Sequence, residues 1–434
     1  MPETRPSLLR AIGRWSLTAL VINCIIGSGI FGLPSVLAQS LGSASPIAWL
    51  LAAAATFLVM ACFAEVASRF EGTGGVYLYS RTAFGRTTGI AVAWLGWLGR
   101  LTAAAANANI FVIYLAEFWP SAKDPVPKFV VLTVLIGFLA VANYIGVRNG
   151  TTLSNFFTVA KLVTLGAFIL AGVAFILQRG SPVAHSASGA SSDWFHAILL
   201  LMFAYGGYEA ALTPAGEAKD PRRDYPFALF VALALCTLIY TATQWLVVSI
   251  VPQGGMSDRP LAAAARIMVG GWGGSFVSIG VLLSSYGLLS ANVLGFSRIL
   301  FAQAEQRDMP SVFARVHRRF QTPHVAIVVF ACCVWIFSLL GGFTWNLTIS
   351  AMARLIYYAS VCAALPVFRR RKNVPAPVLR IPAGDLIAVL AMATSLLLFP
   401  RLDQASWTVL AVVACVAVIN SVWARQKQRE LEKM

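Results

Sequence analysis

Long apolar runs separated by short charged segments make up most of the chain from residue 14 to residue 424. Many of these runs contain about 20 residues, the length that a helix with a rise of ~1.5 Å per residue needs to cross the hydrocarbon core of a bilayer. Dividing the chain at its charged segments predicts twelve membrane-spanning helices. The predicted spans lie near residues 14–37, 45–69, 89–118, 128–147, 152–178, 193–217, 226–251, 271–301, 324–341, 344–368, 383–400 and 405–424.

The composition supports this prediction and argues against a soluble protein. Hydrophobic residues account for 58% of the 434 residues, and charged residues for only 12%. A soluble fold with this composition would need one very large core with almost no solvated surface. The first apolar run is long and has no small-residue cleavage site, which favours a first span over a removed signal peptide. The sequence therefore predicts an all-α polytopic membrane protein whose residues 1–434 form one transmembrane domain.

The positive charges that give the chain a net charge of +16 are distributed unequally between the two sides of the predicted membrane, which indicates its orientation. If the N-terminus is cytoplasmic, the segments on the cytoplasmic side hold 24 of the 33 lysines and arginines, and the outer segments hold six. Such an excess of positive charge is typical of cytoplasmic loops. We therefore expect a protein of the cytoplasmic membrane with both termini in the cytoplasm, whose basic residues contact the lipid bilayer rather than nucleic acid.

The first and sixth spans are interrupted at corresponding positions. In V-I-N-C-I-I-G-S-G-I-F-G-L-P, residues 21–34, the small residues at 27–29 break an apolar run, and Pro34 follows. In the sixth span, the glycines at 206–207 break the run, and Pro214 follows. Each interruption alone is also typical of a small-residue packing face between helices. Occurring as a pair, they favour unwound helices at the binding site of a transporter.

This pairing predicts two inverted repeats of five helices. The first repeat comprises helices 1–5, residues 14–178, and the second comprises helices 6–10, residues 193–368. Because each repeat has an odd number of spans, the two have opposite orientations in the membrane. Helices 11 and 12, residues 383–424, are then two extra helices.

The two breaks offer complementary groups to a solute. Unwinding the first span exposes the amides of Ser28, Gly29 and Ile30 at a helix N-terminus, which favours a carboxylate. The first half of the sixth span ends near Phe203 and Ala204, where free carbonyls accept an ammonium group. Donors on one break and acceptors on the other predict an amino acid as the substrate. The ring of Phe203 is a candidate gate, with simple packing as the alternative.

Three cations, Arg100, Lys161 and Arg354, lie near the middle of predicted spans. An ionised group at that depth costs on the order of 2.5 kcal/mol or more, so each needs a partner or water. Two interpretations are open for each cation. Either it lines a water-filled path, or it bonds backbone carbonyls and reaches towards the membrane surface.

Several motifs together resemble the amino acid–polyamine–organocation superfamily. They are I-G-S-G-I-F-G-L-P in the first span, F-A-Y-G-G-Y-E and G-E-A-K-D-P-R-R-D-Y-P in and after the sixth, and G-G-V-Y-L-Y after the second. The resemblance covers roughly residues 10–424 and implies the LeuT-like fold of two inverted five-helix repeats. It also implies that amides of the first break hold the substrate carboxylate and that carbonyls of the sixth take the amine. The implied residues are Gly27, Ser28 and Gly29 for the carboxylate and Phe203, Ala204 and Gly206 for the amine.

Lys161 lies where sodium-independent members of this superfamily carry a lysine on helix five. The resemblance implies that its ammonium replaces a sodium ion of sodium-coupled relatives. A buried lysine changes its charge readily, so it suits proton symport if it titrates. If it stays charged, it suits amino acid exchange instead, and the sequence leaves both open.

These observations predict sodium-independent secondary active transport of amino acids by alternating access. One alternative is a polyamine or other organic amine as substrate, and a more distant one is a non-transporting sensor or a membrane-embedded enzyme. No HExxH or GxSxG motif supports catalysis, and the glycines near residue 73 lack the Gly-Lys-Ser/Thr of a nucleotide loop. If Arg100 or Arg354 lines the path, neutral or acidic amino acids are favoured over arginine and polyamines; if both are packed away, this inference does not hold. We predict no metal, cofactor or obligatory protein partner.

Overall fold

The computed structural model describes most of the chain as helices joined by short turns. No β-strand lies among the residues described here. These are residues 13–70, 74–145, 150–180, 193–212, 218–252, 255–371, 373–398 and 404–432. Their α-helices are α1 (Arg14–Ile25), α2 (Gly29–Leu41), α3 (Ser45–Ala67), α4 (Gly75–Phe84), α5 (Arg86–Leu115), α6 (Pro125–Ile145), α7 (Gly150–Arg179), α8 (Trp194–Ala204), α9 (Tyr208–Ala211), α10 (Pro221–Ile250), α11 (Pro260–Val269), α12 (Gly271–Glu305), α13 (His324–Leu340), α14 (Phe343–Arg370), α15 (Gly384–Leu398) and α16 (Gln404–Glu432).

Each predicted span coincides with one helix or with a broken pair of helices. The first span is the pair α1 and α2, and the sixth is the pair α8 and α9, so both predicted interruptions are present. Eight segments of the described chain are long and apolar enough to cross a membrane, and four further apolar helices are shorter. The chain is therefore a polytopic membrane protein. The predicted span ends at residues 146–147, 213–217 and 399–400 lie outside the described residues.

A buried cluster of aromatic and polar side chains holds the two breaks against α3 and α10. The Trp49 ring on α3 lies 5.8 Å from that of Tyr205 and 4.8 Å from that of Tyr240. The Gln244 amide accepts a hydrogen bond from the Trp49 indole at 3.0 Å and donates to the Pro34 carbonyl at 3.1 Å. Because backbone that leaves a helix at membrane depth must be enclosed by protein or water, this cluster explains how the breaks are tolerated.

An ion pair joins the start of α1 to the start of α10, and a hydrogen bond joins the start of α10 to the end of α3. Arg14 pairs with Asp224 in the first turn of α10 at 3.1 Å. In the same turn, Arg222 donates to the carbonyl of Ser68, just beyond α3, at 2.8 Å. The starts of α1 and α10 therefore lie at the same end of the helix bundle as the end of α3.

A second group of contacts, around Asp308, brings the C-terminal helix to this end. Arg81 and Arg86 each approach the Asp308 carboxylate to 2.6 Å, and Tyr77 donates a hydrogen bond to it. Burial and the adjacent carboxylate raise the pKa of Tyr77 to about 12, so its hydroxyl stays a neutral donor at physiological pH. Arg86 also donates to the carbonyl of Ala424 in α16 at 3.5 Å. We call this end, defined by Arg14, Ser68, Arg81, Arg86, Arg222, Asp308 and Ala424, the basic end.

Candidate functional site

The two helix breaks touch each other. Residues 26–28 separate α1 from α2, and residues 205–207 separate α8 from α9. A Cβ on Gly29 would stand 2.7 Å from the Cβ of Ala204, closer than real Cβ contacts come. Gly207 has a φ of +115°, which L side chains rarely adopt, and a Cβ there would overlap the Cys24 carbonyl. The glycines are therefore required for the close approach of the two unwound segments.

A small cavity lies between the breaks, with a volume of about 30 Å³. This volume holds water-sized molecules but not an amino acid, so substrate binding requires its walls to move. Six of the predicted binding residues line it, whereas the side chain of Ile30 is buried and does not. The predicted lining residues are Gly27, Ser28, Gly29, Phe203, Ala204 and Gly206, and the further ones are Cys24, Ile25, Arg100, Ala103, Asn107, Leu288, Asn292 and Arg354.

Sequence reasoning missed two asparagines that line this cavity. Asn107 on α5 and Asn292 on α12 are buried amides that line it. An asparagine inside a predicted span is the signal that would have drawn attention to them. The signal is not specific, because Asn109 is equally buried yet donates to backbone carbonyls of residues 338 and 341 away from the cavity.

The α1–α2 break presents hydrogen-bond donors to the cavity. The amides of Gly29, which lines the cavity, and of Ile30, which does not, lie in the first turn of α2 and have no acceptor within their own helix. The Ser28 hydroxyl is buried and has no hydrogen-bond partner among the described residues. This arrangement suits an anionic group.

The carbonyls of the α8–α9 break already accept hydrogen bonds in this conformation. The Phe203 carbonyl accepts one from the Gly206 amide at 3.0 Å and one from the Arg354 guanidinium at 3.2 Å. The Tyr240 hydroxyl shares its one proton between the Ile25 carbonyl at 3.0 Å and the Ala204 carbonyl at 3.3 Å. An ammonium group that binds here must therefore compete with protein donors.

The carboxylate of Glu209, immediately after this break, is surrounded by donors. One oxygen accepts hydrogen bonds from Arg100 and Tyr357, both at 2.7 Å. The other accepts from the Gly207 amide at 2.9 Å and from Tyr358 at 2.8 Å. Each oxygen thus has two donors, and Glu209 fixes α5 and α14 against the unwound segment.

Both central arginines line the cavity, and both also donate to backbone carbonyls, Arg100 to that of Gly207 and Arg354 to that of Phe203. Arg354 is 4% exposed, and its Nε lies 3.8 Å from Glu209, too far for a hydrogen bond. Its guanidinium also lies over the ring of Phe203, 5.1 Å from the centroid. Arg100 lines a second cavity of about 90 Å³, which extends to Tyr77 at the basic end.

Lys161 on α7 caps the broken end of α1. Its ammonium donates to the carbonyl of Asn23 at 3.2 Å and to that of Ile26 at 2.9 Å. Lys161 is 2% exposed. The last carbonyls of a helix lack donors within the helix, and the Lys161 ammonium supplies donors to two of them at the end of α1.

Gly29→Ala is expected to disrupt the contact between the breaks. The added methyl group would collide with Ala204, so α2 and α8 must separate. We expect a loss of stability on the order of 1 to 3 kcal/mol, typical of overpacking, and a lower thermal midpoint in detergent. Gly137→Ala on α6 is the matched control, because its Cβ would have no neighbour within 4 Å. Equal midpoints for the two variants would contradict this account of Gly29.

The sequence is similar to known proteins along most of its length. A family model described as amino acid permease matches residues 12–422. The serine/threonine exchanger SteT of Bacillus subtilis is 29% identical over 89% of this chain and 90% of its own length. The branched-chain amino acid permease BcaP of the same organism is 24% identical over 91% of this chain and 89% of its own length. The cationic amino acid transporter 4 of Mus musculus is 28% identical over 85% of this chain and 61% of its own length.

These relatives are named as transporters, exchangers and permeases rather than as enzymes. The family match spans both helix breaks and Lys161. The chain therefore belongs to the amino acid permease family, within the amino acid–polyamine–organocation superfamily.

Proposed function

We propose that this protein carries amino acids across the cytoplasmic membrane by sodium-independent secondary active transport with alternating access. The observation that carries the proposal is the meeting of two broken helices around a buried polar cavity. Unwound backbone at membrane depth is maintained where it lines a binding site or water. The names of the relatives support amino acids as the substrate class.

The proposed membrane topology has twelve spans, arranged as inverted repeats of helices 1–5 and 6–10 with two extra helices. The corresponding breaks in the first and sixth predicted spans support this arrangement. The concentration of arginines at the basic end supports a cytoplasmic location for both termini. The cavity of about 90 Å³ between the basic end and Arg100 is then part of the cytoplasmic path.

In the proposed complex, the substrate carboxylate binds at Gly27, Ser28 and Gly29. The amides at the start of α2 and the buried Ser28 hydroxyl are the donors that favour this position. The substrate ammonium binds near the carbonyls of Phe203 and Ala204. Since Arg354 donates to the first of these carbonyls, it must release that carbonyl as the substrate enters.

The proposed coupling element is Lys161. Its ammonium bonds two carbonyls at the end of α1, so a positive charge stands where a bound cation would otherwise stabilise the break. A change of this charge is the route to proton symport, and a permanent charge is the route to exchange.

Uptake into proteoliposomes tests the function directly. The purified protein is reconstituted, and a panel of radiolabelled amino acids, together with a polyamine, is offered under an imposed pH gradient without sodium. The same panel is offered to vesicles preloaded with unlabelled substrate. We expect saturable uptake of at least one amino acid in one of the two arrangements. Uptake of the polyamine alone would show that the substrate is a polyamine rather than an amino acid. The absence of saturable uptake or exchange of any amino acid would overturn the proposal.

A further inference from the structure

The side-chain part of the cavity is cationic. Among the described residues that line it, none carries a carboxylate, whereas Arg100 and Arg354 each carry a guanidinium group. Glu209 is the acid that pairs with both arginines. Lys161 adds a third cation, bonded to backbone carbonyls rather than to an acid. The centre of the bundle therefore carries more cations than anions in the described residues.

The two arginines differ in how many hydrogen bonds their guanidinium groups make. Arg100 donates to Glu209 at 2.7 Å and to the Gly207 carbonyl at 3.3 Å. Arg354 has one hydrogen bond, to the Phe203 carbonyl at 3.2 Å, and its buried Nε has none. Arg354 is thus the guanidinium with unused donor capacity beside the cavity.

Substrate binding would leave Arg354 with even fewer hydrogen-bond acceptors. The proposed position of the substrate ammonium is the Phe203 carbonyl, which is the acceptor that Arg354 uses. When the ammonium takes that carbonyl, Arg354 needs another acceptor. The Glu209 oxygens already accept two donors each, so the acid is poorly placed to supply one. A carboxylate on the substrate side chain supplies both the acceptor and the missing negative charge.

We infer that the substrate is an amino acid with a side-chain carboxylate, and that this carboxylate binds Arg354. This inference rests on the proposed function. A cationic side chain would add a further positive charge beside two buried arginines, so the same geometry excludes lysine and arginine as substrates. Arg354 is then a specificity-determining residue that selects for the charge of the side chain.

Isosteric substrate pairs test the inference. Glutamate and glutamine, and aspartate and asparagine, have nearly the same shape but differ in charge. For the wild-type protein in proteoliposomes, we expect the acid of each pair to be taken up about tenfold better than the amide. The measure is the ratio of the maximal uptake rate to the half-saturation concentration. One charge-assisted contact of this kind is worth about one order of magnitude in affinity. Arg354→Gln should bring this ratio close to one, and Arg354→Lys should retain part of it.

The control is Arg370→Gln, which removes an exposed arginine from the same helix. It should leave the acid-to-amide ratio unchanged. If Arg354→Gln does not yield a monodisperse protein, ligand-induced thermal stabilisation of the wild-type protein by each member of the pairs gives the same comparison. Equal transport or stabilisation by acid and amide, or a preference for lysine, would overturn the inference while leaving amino acid transport in place. The absence of transport of any amino acid would instead overturn the proposed function.

Discussion

Replacing Lys161 with alanine is expected to abolish uptake driven by a pH gradient and to leave part of the exchange activity. The substitution removes the ammonium that bonds the carbonyls of Asn23 and Ile26. Hydrogen bonds to charged groups are worth about 1.5 to 3 kcal/mol each, so the broken end of α1 loses its principal cap. The measurement is initial uptake into proteoliposomes with an imposed gradient, compared with uptake into preloaded vesicles.

Lys161→Arg separates the two possible roles of this charge. Arginine keeps a donor and a positive charge at this position but does not titrate under physiological conditions. If Lys161 carries the coupled proton, Lys161→Arg retains exchange and loses uptake driven by the pH gradient. If the lysine is a fixed charge, the arginine variant keeps the activities of the wild-type protein, exchange included.

Lys123→Ala is the matched control for the alanine substitution. Lys123 is also a lysine with a close partner, Asp258 at 2.7 Å, but both side chains are largely exposed. We expect no more than a small change in uptake, because exposed ion pairs contribute about 0 to 1 kcal/mol. Unchanged uptake and unchanged pH dependence in Lys161→Ala would remove Lys161 from the mechanism.

The helix breaks were predictable from sequence because they depend on local chemistry. Glycines and a serine within an apolar run mark where a helix hydrogen-bond ladder ends, whereas Pro34 lies inside α2. The signal predicted that residues 27–29 and 206–207 interrupt their helices, and the structure has a break at each place. The apolar helices were equally predictable from the sequence, since hydrophobic length is a local property.

Contacts between distant helices were not predictable in this way. The sequence identified Arg100 and Arg354 as buried cations in need of partners, but it did not indicate that both pair with Glu209. The partners lie more than 100 positions apart, and their meeting depends on how α5, α9 and α14 pack. One carboxylate shared by two arginines is therefore a property of the fold, and its energetic consequence is open to direct measurement.

Glu209→Gln is expected to be the most destabilising single substitution at the centre of the bundle. The carboxylate accepts four hydrogen bonds and is the negative charge beside Arg100 and Arg354. Removing one partner of a buried ion pair typically costs about 3 to 5 kcal/mol, because the remaining charge is left uncompensated. Unfolding in detergent micelles, followed by temperature or denaturant, measures this loss.

A double substitution identifies the source of the loss. If uncompensated charge is the cause, Arg100→Gln combined with Glu209→Gln should lose less stability than the two single variants added together, since only Arg354, and no longer Arg100, is then left without its acid. Glu305→Gln, which removes an exposed carboxylate at the end of α12, is the control and should change stability by no more than about 0.5 kcal/mol. A Glu209→Gln protein as stable as this control would show that the acid is dispensable to the fold. The two central arginines would then be stabilised by carbonyls and aromatic rings alone.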